Sequence, residues 1–565
     1  MKAKNRLYLS LVACLLILSV VVNHTAYIIA EDQSDPNEEV RSFEEIDFPD
    51  AMPENPTLAE SDYYLYDDMS QHYELEFYTY NYGVELPEND PIKAWLEEKY
   101  NVSLTLITST QPDMETTLST QFQSGDVPDL ITLPTSNSRD YGFILGEQEL
   151  LLDAKEIYPY LPQTTKFVTK TLLDWSTMED GTIPFITKYA IQDGDIWGIA
   201  IREDWLANLG LEMPSTLDEL KEYARAVTFD DPDGNGENDT YFMTGAGGGM
   251  SLGMFNGFQP WFGNPSSHVE DGMLVNPMLD GSTQDYIQFL NDLYRMEVFA
   301  PDWFTIDWEI AKSYTLNDKI GMVHYPSQAL YEEYVNANEQ DYSLATNWSF
   351  LPNLPGEAKG TAGGNPGLCF AIPKESVADD DGKLKRICHI LDAMCYGGEA
   401  YFATVQGGGS EVHEGYEADI REYLEDGTSY CYVDPSHPGY SVYGTDRLSL
   451  DTWQNFGYTL KWQKGYTSEE SSTEFRTYID KINEGSSRMA SYDRWPNDAL
   501  LISIPSDIAP NLDEFVQSQL YKFVVGDRSM DEWDQFVGEY LEQGGLEILT
   551  AQAESLGSEL PEELR

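Results

Sequence analysis

Asp231-Pro-Asp233-Gly-Asn235-Gly236-Glu237-Asn238-Asp239 places side-chain oxygens at alternate positions of a short glycine-bearing loop. Asp231, Asp233, Asn235 and Asp239 stand at positions 1, 3, 5 and 9, and the Glu237 carbonyl supplies position 7. A turning loop wraps one hard cation with this spacing. Gly236 falls at position 6, but position 12 is Phe242, so the bidentate carboxylate that closes an EF-hand is missing. The loop is read as a Ca²⁺ site whose ion braces structure. The competing reading is a metal-free turn rich in Pro, Asp, Gly and Asn.

Aromatic side chains are the second chemical signal. The chain carries 12 Trp and 37 Tyr, many beside Gly, Pro, Asn or Asp, as in Gln259-Pro-Trp261-Phe-Gly263 and Tyr492-Asp-Arg-Trp495-Pro496. A ring on a loop can stack on the apolar face of a sugar while Asn, Asp, Gln and Arg bond the hydroxyls. Trp261, Tyr325, Trp453 and Trp495 are the expected stacking rings of a carbohydrate ligand. Trp95, Trp205 and Trp533, which stand at helix-core spacing, are assigned to packing.

Enzyme signatures fail one by one. Gly245-Ala-Gly247-Gly-Gly249-Met250 lacks the sixth-position glycine of a dinucleotide fingerprint and any P-loop lysine. Gly407-Gly-Gly409-Ser410-Glu411-Val412 is not a nucleophile elbow, and His413-Glu414-Gly-Tyr-Glu417 ends in Glu where a zincin needs His. Paired carboxylates for glycoside cleavage remain open in so acidic a chain.

Within 565 residues, 98 Asp and Glu face 33 Lys and Arg, for a formal net charge of −65. Such a field repels phosphate backbones, which argues against nucleic-acid binding. The length implies two or three domains. Lys2, Lys4 and Arg6 precede the apolar run Leu7 to Val22, with small and apolar residues on to Ala30, so residues 1–30 read as an export signal or anchor. Three outcomes stay open: lipidation at Cys14 after Leu11-Val-Ala, cleavage near Ala30, or retention as an anchor. All place the bulk of the protein outside the membrane. Cys369, Cys388, Cys395 and Cys431 show no C-x-x-C spacing and read either as disulfides or as buried thiols.

The elements that must hold these residues come next. Residues 31–72 are rich in Asp, Glu, Pro and Ser and read as an acidic, disordered tether. Order begins with alternating Leu75, Phe77 and Thr79, and Asp90-Pro91 starts a helix bearing Ile92 and Leu96. Val102, Leu104 and Leu106 form a second strand, Leu118 and Phe122 mark a helix, and Leu130 to Leu133 a buried strand. That order implies a parallel α/β sheet. A second module opens with Ile196 to Ile201, continues through the capping box Thr216-Leu-Asp-Glu219, and the tail from Leu512 to Leu556 is mostly helical.

The span from about Tyr73 to Leu556 resembles the bacterial extracellular solute-binding proteins of family 1, in particular their large lipoprotein-like, alginate-oligosaccharide-binding subgroup. The matching stretches include Asn89-Asp-Pro91-Ile-Lys-Ala-Trp-Leu, Ser124-Gly-Asp-Val-Pro-Asp129-Leu, Ile201-Arg-Glu-Asp204-Trp-Leu, Asp231-Pro-Asp-Gly-Asn-Gly236, Gly321-Met-Val and Gly526-Asp-Arg-Ser-Met-Asp-Glu-Trp533. The resemblance implies a type II periplasmic-binding-protein-like α/β fold of two lobes, with several chain crossings at a hinge near residues 190–197. It divides the chain into 73–193 with 359–405, and 194–358 with 406–565. It implies calcium on the Asp231 loop, with Thr240 where the subgroup often has an acid.

The cleft loops implied are those bearing Asn81 and Tyr82, Ser136 and Asn137, Tyr189, His324 and the late helical region. A monomeric, surface-tethered receptor that hands an oligosaccharide to ABC permease subunits is the resulting expectation. A polysaccharide-cleaving enzyme and a carbohydrate sensor or adhesion module stand as alternatives. The negative field disfavours an acidic glycan unless Arg202, Arg494 or a similar cation lines the cleft.

Overall fold

The computed structural model describes residues 40–50, 66–81 and 86–565, apart from 87, 135–137, 179, 190–196, 352–353, 355–358, 360–365, 379, 396–399, 407–411, 413–420, 424–428, 433–451, 454, 458–461, 466–471 and 491–507. Strand β1 (Tyr73–Asn81) pairs in parallel with β2 (Val102–Thr110), in register from Tyr73 opposite Val102 to Asn81 opposite Thr110. Between them runs α1 (Pro91–Tyr100), which starts as its sequence predicts. The Asp90 carboxylate accepts the N–H groups of Ile92 and Lys93, and Pro91 fills the first helical position, where no N–H is needed. Helix α2 (Met114–Ser124) leads to β3 (Leu130–Thr132), also parallel to β1. Then come α3 (Ser138–Glu147), α4 (Lys170–Trp175) and β4 (Ile186–Tyr189).

Past residues 190–196 the chain builds a second unit. Strand β5 (Trp197–Arg202) is followed by α5 (Glu203–Leu209) and α6 (Leu217–Phe229), the latter opened by the Thr216–Glu219 capping box. Helices α7 (Ser282–Arg295) and α8 (Trp308–Leu316), strand β6 (Met322–Pro326), helix α9 (Ser327–Ala337) and strand β7 (Trp348–Phe350) complete it. Here β5 lies between β6 and β7 and is antiparallel to both. The chain then returns as β8 (Pro366–Ala371), which inserts antiparallel between β3 and β4, and as α10 (Asp381–Ala393). The first sheet is therefore mixed rather than all-parallel, because its fourth member arrives from the second unit.

Each of these two sheets backs a large apolar core. One gathers Ile199 to Leu354 with Phe475, Tyr478, Ile479 and Ile482 from α11 (Thr473–Ala490). Phe523 and Phe536 join it from α12 (Ala509–Val525) and α13 (Trp533–Tyr540), and α14 (Leu546–Ser555) closes the helical C-terminal region. The buried Asn291 amide on α7 donates to the carbonyls of Phe523 and Val524 at 2.9 and 3.0 Å, tying the last turn of α12 to this unit. The first core joins Leu75 to Ile186 with Phe370, Ile372 and one face of α10.

Two expected boundaries move. Ile46 and Phe48 are buried in the first core, so residues within the predicted tether are packed. Asp67 is buried as well, hydrogen-bonded to Arg386 and His389 of α10 at 2.7 Å each. Trp453 and Phe456, expected in the second lobe, belong to the first core: the Trp453 indole donates to Asp90 at 2.6 Å and Phe456 stacks on Phe370. Burial of apolar rings outweighs the acidic composition around them. Cys369, Cys388 and Cys395 are buried free thiols, and burial pushes Cys369 up to about 12. No helix among the described residues is long and apolar enough to cross a membrane.

Candidate functional site

In open α/β sheets, ligands settle outside the carboxyl ends of the strands. At that end of the first sheet, Asn81 closes β1 and donates its amide to the Thr108 hydroxyl at 2.8 Å. Beside it, the buried Asn455 amide reaches the Tyr80 carbonyl at 3.0 Å and the Thr79 hydroxyl at 3.3 Å. The segment carrying Asn455 and Trp453 is thereby fastened across the end of β1. Its distance in sequence from β1 hides this role, and the buried polar pair Thr452 and Asn455 beside an invading Trp is the signal a reader would have needed.

The second unit presents aromatic rings where β5 begins and β6 ends, with Trp197 opposite Pro326. Trp197, Trp308 and His324 are half-buried. The Trp197 ring lies 5.5 Å from Trp308 and 5.3 Å from His324. Trp308 occupies the first turn of α8, whose N-terminus is capped by Asp307. Gly257 passes so close to His324 that a Cβ there would lie 2.6 Å from the imidazole. Flat, partly open rings held by their neighbours suit the apolar face of a sugar.

The expected stacking rings fare differently. Tyr325 is 1 % exposed; it is covered by Trp308 in a stack at 5.0 Å, and its hydroxyl donates to Glu333. Burial first, and then the Glu333 charge, drive its phenol far above the ordinary range. Trp261 packs edge-on against Phe258 at 5.0 Å, and Trp453 is fully buried. All three are core rings: Tyr325 lies in β6 and Trp261 ends a short helical segment, Gly253–Trp261, so neither sits on an open loop. Trp205 and Trp533 are buried as expected, whereas Trp95 is half-buried beneath Lys99. Trp495, Tyr82, Ser136, Asn137, Arg494 and the Tyr189 side chain lie outside the described residues. Arg202 is no cleft cation: it is buried between Trp205 and Trp348 and paired with Asp204 and Asp318.

The Asp231 loop joins α6 to the edge of the second unit. Asp231, Gly234 and Gly236 all adopt positive φ, at 50°, 69° and 85°, which wraps the backbone inward. Asp231 Oδ2 accepts the Gly236 N–H at 3.0 Å, and Asn235 Oδ1 accepts that of Glu237 at 2.7 Å. The Asn235 amide nitrogen bridges Asp233 Oδ2 at 2.8 Å and Asp239 Oδ1 at 3.2 Å. Among the described residues, Asp231 Oδ1 is buried and accepts no backbone or amide N–H. Partial burial, an Asp231 hydrogen bond and the Asp239 charge hold the Asp233 carboxyl above the ordinary carboxylate range, against the Asn235 N–H that lowers it.

This all-oxygen donor set fits a hard cation, with Asp231, Asp233, Asn235, Asp239 and the Glu237 carbonyl as the residues that would hold it. Among the described residues no three His, Cys, Asp or Glu side chains already converge as a finished cage. Thr240 takes no part: its buried hydroxyl donates to the Val227 carbonyl at 2.7 Å and ties the loop to α6.

A family model of the bacterial extracellular solute-binding proteins matches residues 85–384, and the chain belongs to that family. It is 26% identical over 387 residues to the lipoprotein LipO of Bacillus subtilis, covering 64% of this chain and 72% of LipO. It is 25% identical over 483 residues to the polygalacturonan/rhamnogalacturonan-binding protein YtcQ of the same bacterium, covering 83% of this chain and 88% of YtcQ.

Among solved structures, the Streptococcus pneumoniae ABC-transporter substrate-binding protein FusA in complex with kestose aligns at a TM-score of 0.62. The identity is 18%, over 86% of this chain and 99% of FusA. The alginate-binding protein AlgQ2, solved without calcium ion, aligns at 0.58 with 16% identity over 86% and 98% of the two chains. A further FusA structure is of an EF-hand mutant with fructo-nystose. The fold is thus the two-lobed α/β architecture of periplasmic binding proteins, and the family is one of solute-binding proteins rather than of enzymes.

Proposed function

We propose that this protein is the extracellular substrate-binding component of an ABC importer and captures an oligosaccharide between its lobes by hinge closure. The observation that carries this reading is the 483-residue match to a polysaccharide-binding relative, which extends through both sheet-bearing units. The half-buried Trp197, Trp308 and His324 on one unit, and Asn81 on the other, supply rings and amides of the kind a sugar needs. Tyr189 and the loops with Tyr82, Ser136 and Asn137 are proposed to complete the site. A ligand touching both lobes favours the closed state by its differential affinity for it.

The first lobe is drawn as residues 73–193 and 359–405 with the packed segments 40–50, 66–72 and 452–456 added. The second is 194–358 and the remainder of 406–565. Calcium on the Asp231 loop braces the second lobe. The protein works as a monomer, tethered through its N-terminus and docking onto permease subunits.

The test is a thermal-shift screen of neutral and acidic oligosaccharides on the calcium-loaded protein, followed by recovery of the bound sugar. A ligand at one hundred times its Kd adds about 2.7 kcal/mol of stability. A sugar returned shortened would favour a cleaving enzyme, and a full panel without any shift would overturn the carbohydrate reading.

A further inference from the structure

Lys319 lies against the calcium loop from a different part of the chain. Its ammonium meets Asp239 Oδ2, while Asp239 Oδ1 faces the Asn235 amide at 3.2 Å. The backbone fixes this pairing from both sides. The Lys319 carbonyl accepts the Tyr241 N–H at 2.8 Å and the Tyr241 carbonyl accepts the Gly321 N–H at 2.9 Å, so Asp239 and Lys319 sit at the start of one short bridge. Lys319 itself follows Asp318, which Arg202 and the Tyr334 hydroxyl hold in place, the latter at 2.6 Å. Ile320, next in sequence, is fully buried. The ammonium therefore has little freedom to leave its carboxylate by backbone movement.

We infer that Lys319 is a built-in counter-ion of the calcium loop, occupying Asp239 when no ion is bound and competing with calcium for it. The inference rests on the reading of the Asp231 loop as a calcium site. Loops of this kind tune their affinity through the number of charged ligands and the rigidity of the site. Three carboxylates, Asp231, Asp233 and Asp239, stand at ligand positions of the loop sequence, the closing acid is replaced by Phe242, and Thr240 is committed to Val227. A lysine on the third carboxylate reduces the charge available to the cation further. It also gives the crowded acids a partner in the ion-free protein, so that the loop stays folded without calcium, and binding releases the Lys319 ammonium to solvent.

The experiment uses the full chain with calcium chloride as the probe, by calorimetric titration and by melting curves with and without EDTA. Lys319→Met is expected to bind calcium two- to five-fold more tightly, about the range of an exposed ion pair. Its ion-free form is expected to melt lower than the parent, and its calcium-dependent rise to be larger. Lys319→Arg should keep the parental affinity. Lys221→Met, which breaks the 2.7 Å pair with Asp292 elsewhere in the same lobe, controls for loss of one positive charge. An unchanged or weaker affinity in Lys319→Met, or an equal gain in Lys221→Met, overturns the counter-ion role while the calcium site stands. No calcium response in the parent or in Lys319→Met overturns both.

Discussion

Trp308 and Trp453 are opposite cases of one residue type. Trp453 is fully enclosed, with its indole N–H spent on the Asp90 carboxylate that also caps α1. Trp453→Ala should cost about 3–5 kcal/mol of stability, the usual range for emptying a buried tryptophan site, measured by denaturant unfolding. Trp308 covers Tyr325 with one side of its ring and is otherwise half open. Trp308→Ala uncovers Tyr325 and is expected to cost less stability than Trp453→Ala, leaving the fold intact, while weakening the identified glycan by about 2 kcal/mol, as a hot-spot ring does. Equal binding by parent and variant in calorimetry would remove Trp308 from the site.

At the scale of elements, two staples fasten the chain, and each has a pH signature. The first pins residues 66–72 to α10 through Asp67, Arg386 and His389, all buried. Burial raises the Asp67 carboxyl, but the His389 and Arg386 hydrogen bonds outweigh it and hold it below the ordinary carboxylate range. A depressed carboxyl contributes stability that is present above its unfolded value, near 3.9, and is lost as pH falls through the folded value. Asp67→Asn should therefore cost about 3–5 kcal/mol at neutral pH, since it strands a buried cation. The gap to the parent should shrink in unfolding curves taken below about pH 4.

The second staple is the Asp231 loop, where the sign reverses. Asp233 is held above its ordinary value, so without calcium its contribution is fullest at low pH and fades as pH rises through the folded value. On the proposed calcium reading, the ion offsets that loss. Its stabilising effect should grow from acidic toward neutral pH and disappear in Asp233→Ala; melting curves with and without EDTA across that range are the check.

For the molecule as a whole, the chain leaves the first core after β4, builds the second, returns to the first through β8, α10 and residues 452–456, and rejoins the second at α11. On the proposed reading, a chain that passes between the cores more than once restricts the lobes to hinge-like rotation, so that the clamp closes without unfolding. Small-angle scattering should show a smaller radius of gyration when the identified glycan is bound. Calorimetric binding with an unchanged radius would count against closure.

Local rules were enough wherever a few neighbouring residues settle the outcome. The Asp90-Pro91 start of α1, the Thr216–Glu219 capping box, the alternation in β1 and the oxygen spacing from Asp231 to Asp239 are all legible by eye, because each depends on contacts within one or two turns. The order of motifs along 73–556 also carried the family resemblance. What only tertiary contact decided was the side of the boundary on which a ring or a charge falls. Trp261, Tyr325 and Trp453 share their loop-like company with exposed rings, yet they are buried because distant strands and helices close over them. Arg202 looks like a free cation until Asp318 is brought to it from more than a hundred residues away. Asp67 and Phe48 sit in an acidic, proline-rich stretch whose composition predicts a tether, and the first core nevertheless claims them. Hydrophobic burial and buried ion pairing are sums over partners remote in sequence, so a window of neighbouring residues carries no record of them.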